Sequence, residues 1–290
     1  MGETLAVDLG GTNMRAAAVD ASGAILDRAI VPTPRDAATL DPFLVLVEEL
    51  AARHEIEHAV VAVPGRVDHE RGLLLHAPNL PACWPPLLTR GALEEALGRP
   101  VALANDADVA AVGEARFGAG RGHGDVVYLT ISTGVGAGIL VGGRLVLPRY
   151  SGGEVGHSVV EGALAAAGED GTVEGLGSGT AINRTARAAG LDASGREIVR
   201  LVNAGDPVAR QVWDEAMFAV ALGVVNLAHL VAPTRVVVGG GVGRNGELVH
   251  APIRAALERL GPAGPRAEVV GAALGDDSGL IGAAAWRTAT

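Results

Sequence analysis

Residues Leu5 to Val19 read LAVDLGGTNMRAAAV, and the fold turns on the reading of this stretch. An apolar run carries one acid, Asp8, ends in Gly10-Gly11-Thr12, and resumes as a second apolar run. That is strand, tight glycine turn, strand. The paired glycines are expected to supply the positive φ of a short hairpin. The turn offers backbone N–H groups with no side chains in the way, a concavity suited to a phosphate. Asp8 stands at its mouth, where a carboxylate can hold Mg2+ through water. An ordinary hairpin with an acid near its turn explains the stretch as well, until a second copy is noticed. Leu129 to Leu145, LTISTGVGAGILVGGRL, has the same layout, with Ser132 at the place of Asp8 and Gly134 at the place of Gly10. Such a repeat points to two similar halves, each presenting a glycine hairpin, able to grip a polyphosphate from both sides.

The chain has 290 residues, which suits two domains. Nearly half of them are apolar, so a large core is available. The net charge of −10 disfavours nucleic acid and anionic membrane as partners. Cys83 is the single cysteine, which rules out a disulfide framework or a cysteine-rich zinc cluster within the chain. A strand begins almost at once, without a basic n-region or apolar h-region, and no uninterrupted apolar stretch reaches membrane-spanning length. A soluble cytoplasmic protein is expected. The chain contains no lysine, so all 23 Lys-plus-Arg positions are arginine. A Walker A loop, a protein-kinase β3 lysine and a Schiff-base or PLP lysine are therefore excluded. If a nucleotide is handled, glycine-rich backbone and Mg2+ must do a lysine's work.

Beyond the first hairpin the patterning predicts a strand over 24–31, a helix over 40–53, strands over 58–63 and 73–76, a helix over 87–97 and a strand over 101–104. That order points to a mixed α/β sheet. Asn105-Asp106 follows the last strand, ahead of a helix over 107–117. Asn and Asp are favoured N-caps. An acid at the C-terminal end of a strand is also where α/β proteins bind ligands, and a helix N-terminus keeps such a carboxylate ionised, as a general base must be. Both readings hold together. Tyr150 to His157, YSGGEVGH, is a glycine-rich loop whose lone His157 makes a poor metal site but a good hydrogen-bond donor to a polyol. Residues 163–171 read as a surface excursion. Helices are predicted over 174–189, 196–203, 208–231 and 247–260, strands over 235–238 and 268–270, and a last helix from Asp276-Asp277-Ser278 to about Arg287. Gly241-Val-Gly243-Arg-Asn-Gly246 also matches the dinucleotide fingerprint G-x-G-x-x-G, with Glu268 as its acid, so a dehydrogenase is the competing reading.

Several motifs in order carry a resemblance: Asp8-Leu-Gly-Gly-Thr-Asn13, Val63-Pro-Gly65, Pro78-Asn-Leu80, Asn105-Asp-Ala107 and Ser132-Thr-Gly-Val-Gly-Ala-Gly138. Gly153-Glu-Val-Gly-His157, Gly177-Ser-Gly-Thr-Ala181, Gly239-Gly-Gly-Val242 and Leu274-Gly-Asp-Asp-Ser-Gly279 continue it. Over nearly its full length the chain resembles the ROK family (repressors, open reading frames, sugar kinases), in particular its bacterial glucokinase-like members, within the hexokinase/actin-like ATPase superfamily. The resemblance implies an α/β, two-domain actin-like ATPase (ribonuclease H-like) fold with mixed β-sheets and an interdomain cleft. The smaller domain would be 1–107, with a C-terminal helix 277–290 packing back on it, and the larger 108–276. It implies ATP and Mg2+, a homodimer or homotetramer, and phosphorylation of a hexose hydroxyl. Glucose at O6 comes first, with N-acetylmannosamine, mannose, fructose and allose open, and polyphosphate as an alternative donor. Asp8, Gly10, Gly11, Thr12 and Asn13 would hold phosphate and metal on one side, and Thr133 and Gly134 phosphate on the other. Gly239, Gly240 and Gly241 would flank the adenosine. Asn105, Glu154, His157 and Glu174 would hold sugar hydroxyls, with Gly65 and Asn79 lining the pocket, and Asp106 would be the general base.

The chain departs from the family in one place. Many ROK proteins follow the GExGH segment with a Cys-x-Cys-Gly-x-x-Gly-Cys zinc loop, whereas this chain has Gly168-Glu-Asp-Gly-Thr-Val-Glu174. No structural zinc is expected. The family's repressors carry a winged helix-turn-helix ahead of the kinase-like part, for which a hairpin starting at residue 3 leaves no room. A non-catalytic sugar-binding protein is the alternative from a different functional class.

Overall fold

The computed structural model describes residues 2–34, 39–77, 79–264 and 266–290, so Pro78 of the Pro78-Asn-Leu80 motif lies outside the described residues. The chain forms two compact units, one of Met1–Gly122, Gly138–Gly153 and Asp276–Thr290, the other of His123–Ala137 and Glu154–Gly275.

The first unit opens with the hairpin of β1 (Glu3–Leu9) and β2 (Asn13–Val19), to which β3 (Ile25–Pro32) adds antiparallel. After α1 (Asp41–Ala51) come β4 (Ile56–Val63), the small hairpin of β5 (Arg66–Asp68) and β6 (Leu73–His76), α2 (Arg90–Leu97), β7 (Val101–Asn105) and α3 (Asp106–Arg116). The sheet order is β3-β2-β1-β4-β7, with β1, β4 and β7 parallel. β1 and β4 are apolar on both faces because both are covered, as interior parallel strands are. Leu5, Leu9, Met14, Phe43, Leu50, Trp84 and Leu88 form a core with no solvent exposure. β3, at the edge, alternates half-buried and exposed residues, as an edge strand with one free face does. β5 was too short for its sequence pattern to reveal, and α2 starts at Arg90 rather than Leu87, because Thr89 caps it.

The second five-stranded sheet repeats this plan. β8 (Val126–Ile131), β9 (Val135–Val141) and β10 (Arg144–Leu145) form its hairpins. They precede α4 (Gly162–Ala166), α5 (Val173–Gly177), α6 (Gly179–Ala188), α7 (Gly195–Asn203) and α8 (Pro207–Val231). β11 (Arg235–Gly239), the short α9 (Gly240–Gly243), α10 (Glu247–Leu260) and β12 (Glu268–Gly271) follow. The order β10-β9-β8-β11-β12 mirrors that of the first sheet, with β8, β11 and β12 parallel. The internal repeat is therefore real, but its register differs from the one expected. The hairpin strands end at Leu9 and Ile131, so Ser132 corresponds to Gly10 and Gly134 to Thr12.

α8 is long and apolar enough to cross a membrane, although its sequence contains Arg210, Asp214 and Glu215. More than half of its apolar window is buried, and it packs on α5, α6, α7 and α10 as a core helix. Asp206 caps it and Pro207 opens it, where the missing N–H costs nothing. Pro252 inside α10 cannot donate to the Leu248 carbonyl, and the Trp213 indole N–H fills the vacancy at 2.9 Å. The predicted last helix is divided in two: after a turn at 275–277 come α11 (Ser278–Ala283) and α12 (Trp286–Ala289). α11 packs on α3 and β1.

Candidate active site

The three-residue turn Gly10–Thr12 joins β1 to β2. Its carbonyls are held from behind: Thr33 donates its N–H to the Thr12 carbonyl at 2.9 Å and its hydroxyl to the Gly10 carbonyl at 2.5 Å. Neither Gly10 nor Gly11 has a positive φ, contrary to expectation. Glycine is needed for room instead, since a Cβ on Gly11 would lie 2.6 Å from the Asn79 carbonyl oxygen. That close approach brings Asn79 against the turn, beside the exposed Thr12 and Asn13. Asp8, half-buried, faces Arg15 directly across the hairpin and pairs with it through Oδ2. Arg15 also donates to the Asp276 carbonyl at 2.6 Å. The Asp8–Arg15 pair was not foreseen, although the two positions are nearly symmetric about the turn.

Asp8 lies in register with Ala62 of β4, and Ala62 with Ala104 of β7. Ala104 is thus two strand spacings, or about 10 Å, from Asp8, and Asn105 and Asp106 come immediately after it, so Asp8 and Asp106 share one edge of the sheet, where the parallel strands end. Asn105 is the N-cap of α3. Its Oδ1 accepts from Ala107 N–H at 2.9 Å and Asp108 N–H at 3.2 Å, while its amide donates to the Gly65 carbonyl at 2.9 Å. Gly65 has φ +113°, and a Cβ there would run into the His76 carbonyl. Asp106 is the first residue of α3, half-buried, with Oδ1 accepting from Ala107 N–H at 2.8 Å. One helix start thus fixes Asn105, Asp106 and, through Asn105, Gly65.

The second unit gathers the rest. The turn Ser132–Gly134 closes with Ser132 N–H donating to the Gly134 carbonyl at 2.8 Å. Glu174 accepts the Val135 N–H at 2.8 Å, and only a glycine at 134 leaves space for that carboxylate. Gly239 ends β11 opposite Thr130 of β8, so the glycine run 239–241 lies beside this turn. Glu154 precedes a single turn of 3-10 helix that ends on His157, with Oε2 and Nε2 3.7 Å apart and the imidazole largely exposed. The expected helix over 174–189 is broken at Ser178, whose extended backbone (φ −73°, ψ 163°) separates α5 from α6.

Two other expectations meet the geometry here. Glu268 lies at the start of β12 and pairs with Arg235, its register partner, so it cannot serve as a ribose acid; the dehydrogenase reading is overturned. In the segment Gly168–Glu174, where the resemblance would place a zinc loop, Asp170 accepts from Thr172 N–H at 3.1 Å and hydroxyl at 2.6 Å, and that hydroxyl holds its pKa below the ordinary value. These residues do not fit a tetrahedral zinc site. Residues 163–171 are not wholly irregular, since α4 occupies their first half.

The ROK family profile matches residues 4–290. The chain belongs to the ROK family. Its similarity to the ROK family is close at two levels. Glucokinase of Streptomyces coelicolor is 36% identical over 309 residues, spanning 98% of this chain and 97% of that protein. The crystal structure of a ROK family glucokinase from Streptomyces griseus in complex with glucose and AMPPNP has a TM-score of 0.81 at 36% identity, covering 98% of each chain. The ROK hexokinase of Thermus thermophilus has a TM-score of 0.83 at 34% identity, covering 97% of this chain and 96% of that one. The fold is accordingly the two-domain actin-like ATPase fold.

Proposed function

We propose that this protein is a sugar kinase that transfers the γ-phosphoryl group of ATP to a hexose, and that its acceptor is O6 of glucose. The observation that carries the reading is the shared sheet edge of Asp8 and Asn105–Asp106 in a ROK chain similar end to end to glucokinases. Asp106 takes the proton of the primary hydroxyl as that oxygen attacks the γ-phosphorus in line. Its position at the first turn of α3 favours the ionised carboxylate that this step requires. Most of the acceleration comes from positioning and charge stabilisation, because phosphoryl transfer asks little covalent help of a protein.

Asn105, Glu154, His157 and Glu174 hold the sugar hydroxyls, with Gly65 and Asn79 beside them. The turns at 10–12 and 132–134 hold phosphates through backbone N–H groups, and Gly239–Gly241 flank the adenosine. Mg2+ fits Asp8: Oδ2 is engaged by Arg15, while Oδ1 takes no hydrogen bond among the described residues. A magnesium ion that keeps most of its waters needs only one or two carboxylates besides the substrate phosphates, and when bound it neutralises charge on the β- and γ-phosphates. The protein acts in the cytoplasm as a homodimer or homotetramer. The test is an ADP-release assay with glucose, mannose, N-acetylmannosamine, fructose and allose against ATP and polyphosphate, compared as kcat/KM. Highest kcat/KM with glucose and ATP is expected. Sugar binding without phosphoryl transfer to any of these sugars would refute the reading.

A further inference from the structure

The segment Gly177-Ser-Gly-Thr-Ala181 has no role in the mechanism above, yet it meets the second turn directly. The break at Ser178 leaves the first N–H groups of α6 without partners inside their own helix. They are spent on the turn: Gly179 N–H donates to the Ser132 carbonyl at 2.8 Å, and Thr180 N–H approaches the Thr133 carbonyl at 3.4 Å. The Thr180 hydroxyl donates to the same Thr133 carbonyl at 2.8 Å. In a trans peptide the C=O and the following N–H point in opposite directions. Pinning the carbonyls of 132 and 133 toward α6 therefore aims the N–H groups of Thr133 and Gly134 away from it. Neither N–H makes a hydrogen bond among the described residues. Thr33 does the corresponding work on the first turn, holding the Gly10 and Thr12 carbonyls.

We infer that Thr180 is a positioning residue for the nucleotide's phosphates, holding the 132–134 turn from behind so that its two outward N–H groups are set before the ligand arrives. This rests on the proposed phosphate role of that turn. Preorganised donors cost no reordering on binding. Thr180 itself is exposed, so Thr180→Val removes the hydroxyl without disturbing a core. It is expected to weaken ATP and ADP binding by about three- to tenfold, the worth of one hydrogen bond. Adenosine binding and the sugar KM should stay at wild-type values, and Thr180→Ser should restore ATP binding.

The experiment is calorimetric titration of ATP, ADP and adenosine into wild type, Thr180→Val and Thr180→Ser, with thermal midpoints measured alongside. Selective loss of the phosphorylated ligands, with rescue by serine and an unchanged midpoint, supports the assignment. Unchanged ATP affinity, equal weakening of adenosine, or failure of serine to rescue overturns it. The binding contrast does not depend on turnover: a wild type that phosphorylates no sugar would sink the kinase reading and leave this one standing or falling on its own result.

Discussion

Replacing Asn105 with alanine removes one side chain that does two structural jobs. Its Oδ1 accepts two N–H groups at the start of α3, and its amide donates to the Gly65 carbonyl. Loss of an N-cap costs about 1 kcal/mol, and loss of a further half-buried hydrogen bond about 1 kcal/mol more. The sum, about 2 kcal/mol, corresponds in a chain of this size to a fall of about 3–4 °C in the thermal midpoint. Asn105→Ser separates the two jobs, because serine caps as well as asparagine but has no amide to reach Gly65. It should recover about half of the loss. Both variants lack the amide assigned to a sugar hydroxyl, so the sugar KM should rise in both alike while stability differs. Urea and thermal denaturation measure the first quantity, and steady-state kinetics the second. An Asn105→Ala protein within about 0.5 kcal/mol of wild type, or a serine variant as unstable as the alanine one, would refute this reasoning.

Asp106→Asn should keep sugar affinity in calorimetry yet lose about 10²- to 10⁴-fold in kcat, the usual worth of a general base; near wild-type turnover would remove Asp106 from that role. Burial pushes the imidazoles of His58, His69 and His250 below their ordinary pKa, so the folded protein prefers them neutral. The unfolded chain takes up more protons below about pH 6.5, and stability should fall as pH drops from about 7 to 5. A urea midpoint that is level or higher at the lower pH contradicts this. Metal analysis of the purified protein should find well under one zinc per chain, and a stoichiometric zinc content would show that a site exists despite the single cysteine.

Sequence alone determined the character of each hairpin, because two apolar runs on either side of a glycine-containing polar turn are local signals that need no distant partner to be read. It also showed the duplication, the cap at Asn105 and, through the motifs taken together, the family. The register of that duplication was beyond it: Ser132 and Asp8 look equivalent in a string of letters, and only the strand ends at Leu9 and Ile131 show a shift of two residues. The role of Gly11 was also misread, since its need is set by the Asn79 carbonyl, 68 positions away in the chain, rather than by its own φ. The break at Ser178 follows the same logic. Propensity favours one helix through 174–189, but hydrogen bonds from Gly179 and Thr180 to the 132–134 turn hold the backbone extended at that point. Local chemistry writes strands, caps and turns into a sequence. Which backbone carbonyl stands behind a turn, and which carboxylate an arginine reaches, is settled by packing between segments that no periodicity connects.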